Sequence, residues 1–138
     1  MTSWRPLALL LVVSTACAVD AHAQARLANP ASVNCVQKGG TLEFVAGGGG
    51  GRYGLCVFAD NRQCEEWAMM RGHCPVGGVR VTGLVTPAAR FCAVTGGRYT
   101  VTANDNRPDE QGSCALPGGR TCDAVAYHAG RCGPDGSR

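Results

Sequence analysis

The chain has 138 residues, 13 Lys or Arg against 10 Asp or Glu, and a formal charge of +3. The charges are scattered singly, with no basic block, which excludes a nucleic-acid footprint and describes a solvated surface. Met1–Arg5 starts positive, Leu7–Ala18 is an apolar run, and Ala21-His22-Ala23 is a small-x-small exit. These are the three parts of an export signal. A membrane-spanning helix takes about 20 apolar residues, more than this run supplies. The expectation is a cleaved leader over residues 1–23, with a junction after Ala25 as the alternative, and a periplasmic or secreted product.

Ser14-Thr15-Ala16-Cys17 resembles the lipobox at which a bacterial lipoprotein is lipidated, with Ser14 where Leu is usual. A lipid anchor at Cys17 is the rival reading, and an unmodified Cys17 in a discarded leader is the one adopted. Either way eight cysteines remain, an even number in a short exported chain, which reads as a disulfide framework. No second apolar run could span a membrane.

The cysteines repeat. Cys35, Cys56, Cys64 and Cys74 are separated by 21, 8 and 10 residues; Cys92, Cys114, Cys122 and Cys132 by 22, 8 and 10. Flanking residues recur at matching offsets: Asn29-Pro30-Ala31 with Thr86-Pro87-Ala88, Gly39-Gly40 with Gly96-Gly97, and Gly54, Arg62, Ala68 and Gly72 with Gly112, Arg120, Ala126 and Gly130. The chain divides into module one (27–74), a linker (75–85), module two (86–132) and a disordered tail (133–138).

In chain order, Asn29 caps a two-turn helix over Pro30–Lys38, with Pro at its first position and Gly39 at its left-handed end. Thr41–Val45 alternates as a strand. Gly47–Gly51 lacks the following helix and Lys of a phosphate loop, so it reads as a flexible hairpin tip leading into the strand Tyr53–Phe58. Asp60-Asn61 signals a turn. Cys64–Arg71 reads as a helix, acidic at its start and basic at its end, stopped by Gly72. Trp67 and Met70 share the face expected in the core, leaving Met69 exposed. Module two repeats the scheme with a helix over Pro87–Thr95, strands over Arg98–Thr102 and Ser113–Leu116, a turn at Pro117-Gly118-Gly119 and a helix over Asp123–Ala129. The fold class is therefore small, disulfide-rich α+β, two tandem helix–strand–strand–helix modules with two disulfides in each.

Modules of about 45 residues bury too little apolar surface to fold without staples. A helix spanning Cys64 to Cys74 would hold their ends roughly 15 Å apart, beyond the ~7 Å that a disulfide tolerates. That excludes Cys64–Cys74 and its counterpart. Two pairings stay open: Cys35–Cys74 with Cys56–Cys64, and Cys35–Cys64 with Cys56–Cys74. The turn between Cys56 and Cys64 favours the first.

Asn29-Pro30-Ala31-Ser32-Val33-Asn34-Cys35, Gly39-Gly40-Thr41-Leu42-Glu43, Gly54-Leu55-Cys56, Cys64-Glu65-Glu66-Trp67-Ala68 and Arg71-Gly72-His73-Cys74 form a specific combination. It resembles the small bacterial domain known as domain of unknown function 333, often labelled a hemolysin. The second copy departs from it, with Asp123-Ala124-Val125 in place of Glu65-Glu66-Trp67. The resemblance implies an exported envelope module. A pore former needs a long amphipathic segment or strands of about ten alternating residues, and the chain has neither.

Catalytic and metal chemistry find little support. The nearest cysteines lie eight apart without a C-x-x-C, which is poor zinc spacing, and His73 and His128 occupy non-equivalent places. No metal, cofactor or enzymatic activity is expected. Glu65 and Glu66 are adjacent, diverge on a helix and serve best to stabilise its N-terminus. A binding surface would draw on Glu65, Glu66, Trp67 and the recurring turn residues Arg62 and Arg120, which suit an acidic envelope polymer. The expected function is structural or binding, toward an envelope or extracellular protein or polymer. The rivals are a bivalent hydrolase inhibitor presenting Val57–Gln63 and Ala115–Thr121, and a membrane-active hemolysin.

Intact mass of the exported protein is expected to correspond to a start at Gln24 or Arg26. A lipid-modified Cys17 at the mature N-terminus would contradict that processing.

Overall fold

The computed structural model describes residues 28–134 together with Met1. The expected leader, its junctions, Cys17 and the last four residues of the expected tail lie outside the described residues. Module one begins with helix α1 (Pro30–Gln37), capped by Asn29, whose side chain accepts from the Ala31 amide at 3.0 Å. Its end is turned by Gly39 at φ 84°. Strands β1 (Thr41–Ala46), β2 (Arg52–Phe58) and β3 (Arg62–Glu65) then form an antiparallel meander. Asp60 and Asn61, with φ of 58° and 54°, make the tight β2–β3 turn, the left-handed pair that short hairpins require. Helix α2 (Glu66–Met70) follows.

The segment after Cys74 joins this sheet. Strand β4 (Val79–Arg80) pairs with β3, and Arg62 donates to the Gly78 carbonyl at 3.0 Å. Module two repeats the plan with α3 (Pro87–Val94), capped by Thr86, then β5 (Arg98–Ala103), β6 (Gln111–Ala115), β7 (Thr121–Asp123) and α4 (Ala124–His128). The sheets are ordered β1-β2-β3-β4 and β5-β6-β7. The fold is thus small, disulfide-rich α+β, with a third short strand in each module that overlaps the expected helix at Cys64 and Glu65 in one copy and at Asp123 in the other.

That strand corrects the disulfide assignment. The bridges are Cys35–Cys56, Cys64–Cys74, Cys92–Cys114 and Cys122–Cys132, with Cα separations of 5.6–6.0 Å. The exclusion of Cys64–Cys74 fails because Cys64 lies on β3 and only five of the intervening residues are helical. The chain reverses at Gly72, φ 77°, and brings Cys74 back. Both pairings left open by the sequence are overturned with it. Cys56 and Cys64 do face each other across the β2–β3 register, but each bonds outward, Cys56 to α1 and Cys64 to the turn after α2. The two bridges therefore tie the sheet to the helical layer.

The four half-cystines of module one are at most 1% exposed and, with Ala68 and Met69, form its centre. A Cβ on Gly40 would strike the Cys56 sulfur, and one on Gly97 the Cys114 sulfur. The recurring Gly-Gly pair thus has two causes, a left-handed turn at its first residue and passage over a disulfide at its second.

Trp67 and Met70 are partly exposed while Met69 is buried, the reverse of the sequence expectation. Glu66 causes the rotation. It is 3% exposed, and its carboxylate accepts from Asn29 Nδ2 at 2.9 Å and Ser32 Oγ at 2.5 Å. With that carboxylate satisfied by α1, Glu66 and Met69 take the inner face, three residues apart, and Trp67 and Met70 turn outward.

The glycine run closes the β1–β2 hairpin and abuts module two. A Cβ on Gly48 would lie 2.6 Å from His128 Nδ1, and one on Gly49 2.6 Å from the Ala129 carbonyl oxygen. At Gly51 a Cβ would meet open space. Gly49→Ala is therefore expected to lower stability by about 1–3 kcal/mol, the usual effect of overpacking, while Gly51→Ala is neutral. Urea unfolding of the oxidised protein tests this; equal effects of the two would contradict the docked tip.

Candidate binding cleft at the module junction

The residues expected to form a binding surface are spread over separate places. Glu65 caps α2, accepting from the Trp67 and Ala68 amides at 3.0 and 2.7 Å. Asp123 does the same for Ala126 in module two. Glu66 is consumed by its bonds to α1. Arg62 is tied to Gly78 beside the β2–β3 turn. Arg120 is exposed in the corresponding turn of the other module. Only Trp67 offers an apolar surface, about one-third exposed. The structure does not assemble these five into one site.

What it does assemble is a junction between the modules. Leu55, Val81 and Val94 are buried together, with Val45, Tyr53, Val57, Val79 and Leu84 against them, so β2, the linker and α3 share one apolar cluster. Phe91 of α3 stands edge-on to Tyr53 of module one at 5.1 Å and against Tyr127 and His128 of α4 at 5.0 and 5.2 Å. Such aromatic contacts stabilise by about 0.5–1.5 kcal/mol beyond area burial. Gly96 is pressed so tightly to the His73 carbonyl that a Cβ there would collide with it.

Beside this seam lies a cleft of about 430 Å³. Arg71 and His73 of module one form one wall; Thr95, Leu116, Pro117, Tyr127 and Pro134 form the other. The volume falls in the range of about 300–1,000 Å³ typical of small-ligand sites. Burial pushes the Tyr127 phenol above its ordinary value and Glu65 adds to this, against opposing effects from Thr95 and Arg71. The hydroxyl therefore remains a proton donor at neutral pH. The Thr95 hydroxyl is committed to the Phe91 and Cys92 carbonyls at 2.8 and 3.0 Å. Arg71 is about half exposed and only loosely held by Glu65, at 3.9 Å.

Sequence reading missed this cleft because it joins non-equivalent positions of two copies. The position matching Arg71 in module two is Ala129, so no repeated pattern marks it. Among the described residues no group of three His, Cys, Asp or Glu could hold a metal ion, and no helix is long and apolar enough to cross a membrane.

A family model described as Domain of unknown function (DUF333) matches residues 26–73 and 83–131. The chain belongs to this family. It carries two tandem DUF333 copies, one over each structural module, each match ending one residue before the module's last cysteine. No curated protein and no solved structure matches the chain.

The surroundings of His128 disfavour its protonated form. Its Nε2 is buried without a hydrogen-bond partner among the described residues, Gly48 covers its other ring nitrogen, and burial lowers its pKa. The charged and titratable groups around it are Arg52 and Tyr53 from β2, and Asp109 and Glu110 ahead of β6. Both carboxylates are engaged, Asp109 by Asn104 and Arg107, and Glu110 by Tyr99 and Asn106. With the folded pKa below the unfolded value of about 6.5, the folded state binds the proton less readily. Its contribution to stability is complete above about pH 6.5 and lost as pH falls through the folded pKa. The wild type should lose more stability than His128→Phe between pH 7.5 and 5; parallel profiles would contradict this.

Proposed function

We propose that the chain is an exported, non-enzymatic protein of the bacterial envelope whose two modules act as one binding unit. The observation that carries this reading is the junction cleft, built by both copies and framed by disulfides. Arg71 and His73 lie within the Cys64–Cys74 loop, Tyr127 lies within the Cys122–Cys132 loop, and Thr95 and Leu116 follow Cys92 and Cys114 within three residues. Walls fixed before a ligand arrives reduce the ordering that binding requires. The leader-like N-terminus and the cystine-rich interior support an oxidising compartment, where such bonds persist. The hemolysin label adds no mechanism to this reading.

Cells producing the full chain are expected to hold it in the periplasmic extract, with every cysteine after residue 23 resistant to alkylation. Peptide mapping without reduction should return the four bridges described above. The oxidised protein, immobilised, should retain an envelope component that the reduced protein does not. Cytoplasmic retention with free thiols, or equal capture by both redox forms, would overturn the proposal.

A further inference from the structure

The junction cleft has a definite chemical bias. Among the described residues that line it, Arg71 is the only one with a permanent charge, and none is a carboxylate. The guanidinium offers a planar fork of N–H donors that fits a carboxylate in two parallel bonds, a geometry an ammonium cannot reproduce. Glu65 approaches it at 3.9 Å, beyond hydrogen-bond distance, and has its oxygens on the Trp67 and Ala68 amides. Among the described residues Arg71 is thus neutralised only weakly. Tyr127 also lines the cleft, and Leu116, Pro117 and Pro134 supply apolar surface.

We propose that this cleft binds a carboxylate carried next to a small apolar group, with Arg71 pairing the carboxylate, Tyr127 donating to it and Leu116 and Pro117 receiving the apolar part. The inference rests on the cleft being the binding site of the two-module unit, and adds the ligand's chemistry. A peptide C-terminus and a free short-chain acid share that chemistry. A few polar groups set among apolar lining is the usual plan of a small-ligand site.

The test is a titration of the full, oxidised chain, followed by amide NMR shifts, with three probes: N-acetyl-dialanine, its C-terminal amide and propionate. The acid is expected to shift Arg71, His73, Thr95 and Tyr127 and to bind at least tenfold more tightly than the amide. Arg71→Gln should lose at least tenfold toward the acid and Tyr127→Phe severalfold, while Arg71→Lys retains part of the binding. Raised salt should weaken the acid alone, as expected for a partly exposed charge pair. Propionate binding as tightly as the dipeptide supports a free acid as the ligand class, and weaker propionate binding supports a peptide end. Equal binding of acid and amide, an unaltered Arg71→Gln, shifts confined to other surfaces, or no shift at tens of millimolar probe would each overturn it. Arg71 is exposed, and its variants should unfold at the wild-type urea concentration, which separates lost binding from lost fold. Failure here with redox-dependent capture intact removes the carboxylate assignment and leaves the binding unit standing.

Discussion

Two disulfides in each module, buried except at the partly exposed Cys132, stand where a larger domain would have a hydrocarbon core, and the remaining features follow from them. The bridges run from the sheet to the helical layer, Cys56 to Cys35 of α1 and Cys64 to Cys74 in the turn after α2, and meet at neighbouring positions of β2 and β3. Each contributes on the order of 2–4 kcal/mol by restricting the unfolded chain, a large share of the total for so small a unit. The sulfur layer dictates glycine at residues 40 and 97, keeps α2 and α4 to five residues each, and turns the chain sharply back at Gly72 and Gly130.

Around this frame the two copies solve one packing problem differently. In module one the Glu66 carboxylate lies against Gly54 and is held by Asn29 and Ser32. The equivalents of Asn29, Ser32 and Glu66 are Thr86, Ala89 and Ala124, which cannot hold a carboxylate in that way. There the Tyr99 ring occupies the space against Gly112, and its hydroxyl donates to Glu110 at 3.0 Å. A buried carboxylate is retained in both copies, but α2 supplies it in one and the β5–β6 connection in the other. Buried charges persist where hydrogen bonds satisfy them, and both copies meet that condition.

Much of the fold could be read from residue order. The repeated cysteine spacing located both modules, Asn29-Pro30 and Thr86-Pro87 located two helix starts, and Asp60-Asn61 located a hairpin turn. These signals are local, so neighbouring residues suffice to express them. The disulfide pairing was misread because it depended on the length of one helix, and β3 removes its first two residues. The facing of Trp67 was misread because positions 66 and 69 repeat with the same interval as 67 and 70. Hydrophobicity favours the second pair, and only the partners on α1 favour the first. The glycine run reads as a free tip until α4 is placed against it. The cleft is the least legible feature, since its walls come from positions that do not correspond.

That last property bears on how duplication produced something new. A single copy supplies either Arg71 or the tyrosine and apolar floor, never both, so the cleft could arise only after two copies were fused and had begun to differ. The two copies divide the labour, with Arg71 in one half and Ala129 at the matching position of the other. On the proposed reading, a chain with a single copy would lack one wall of the cleft, however well it matched the family pattern.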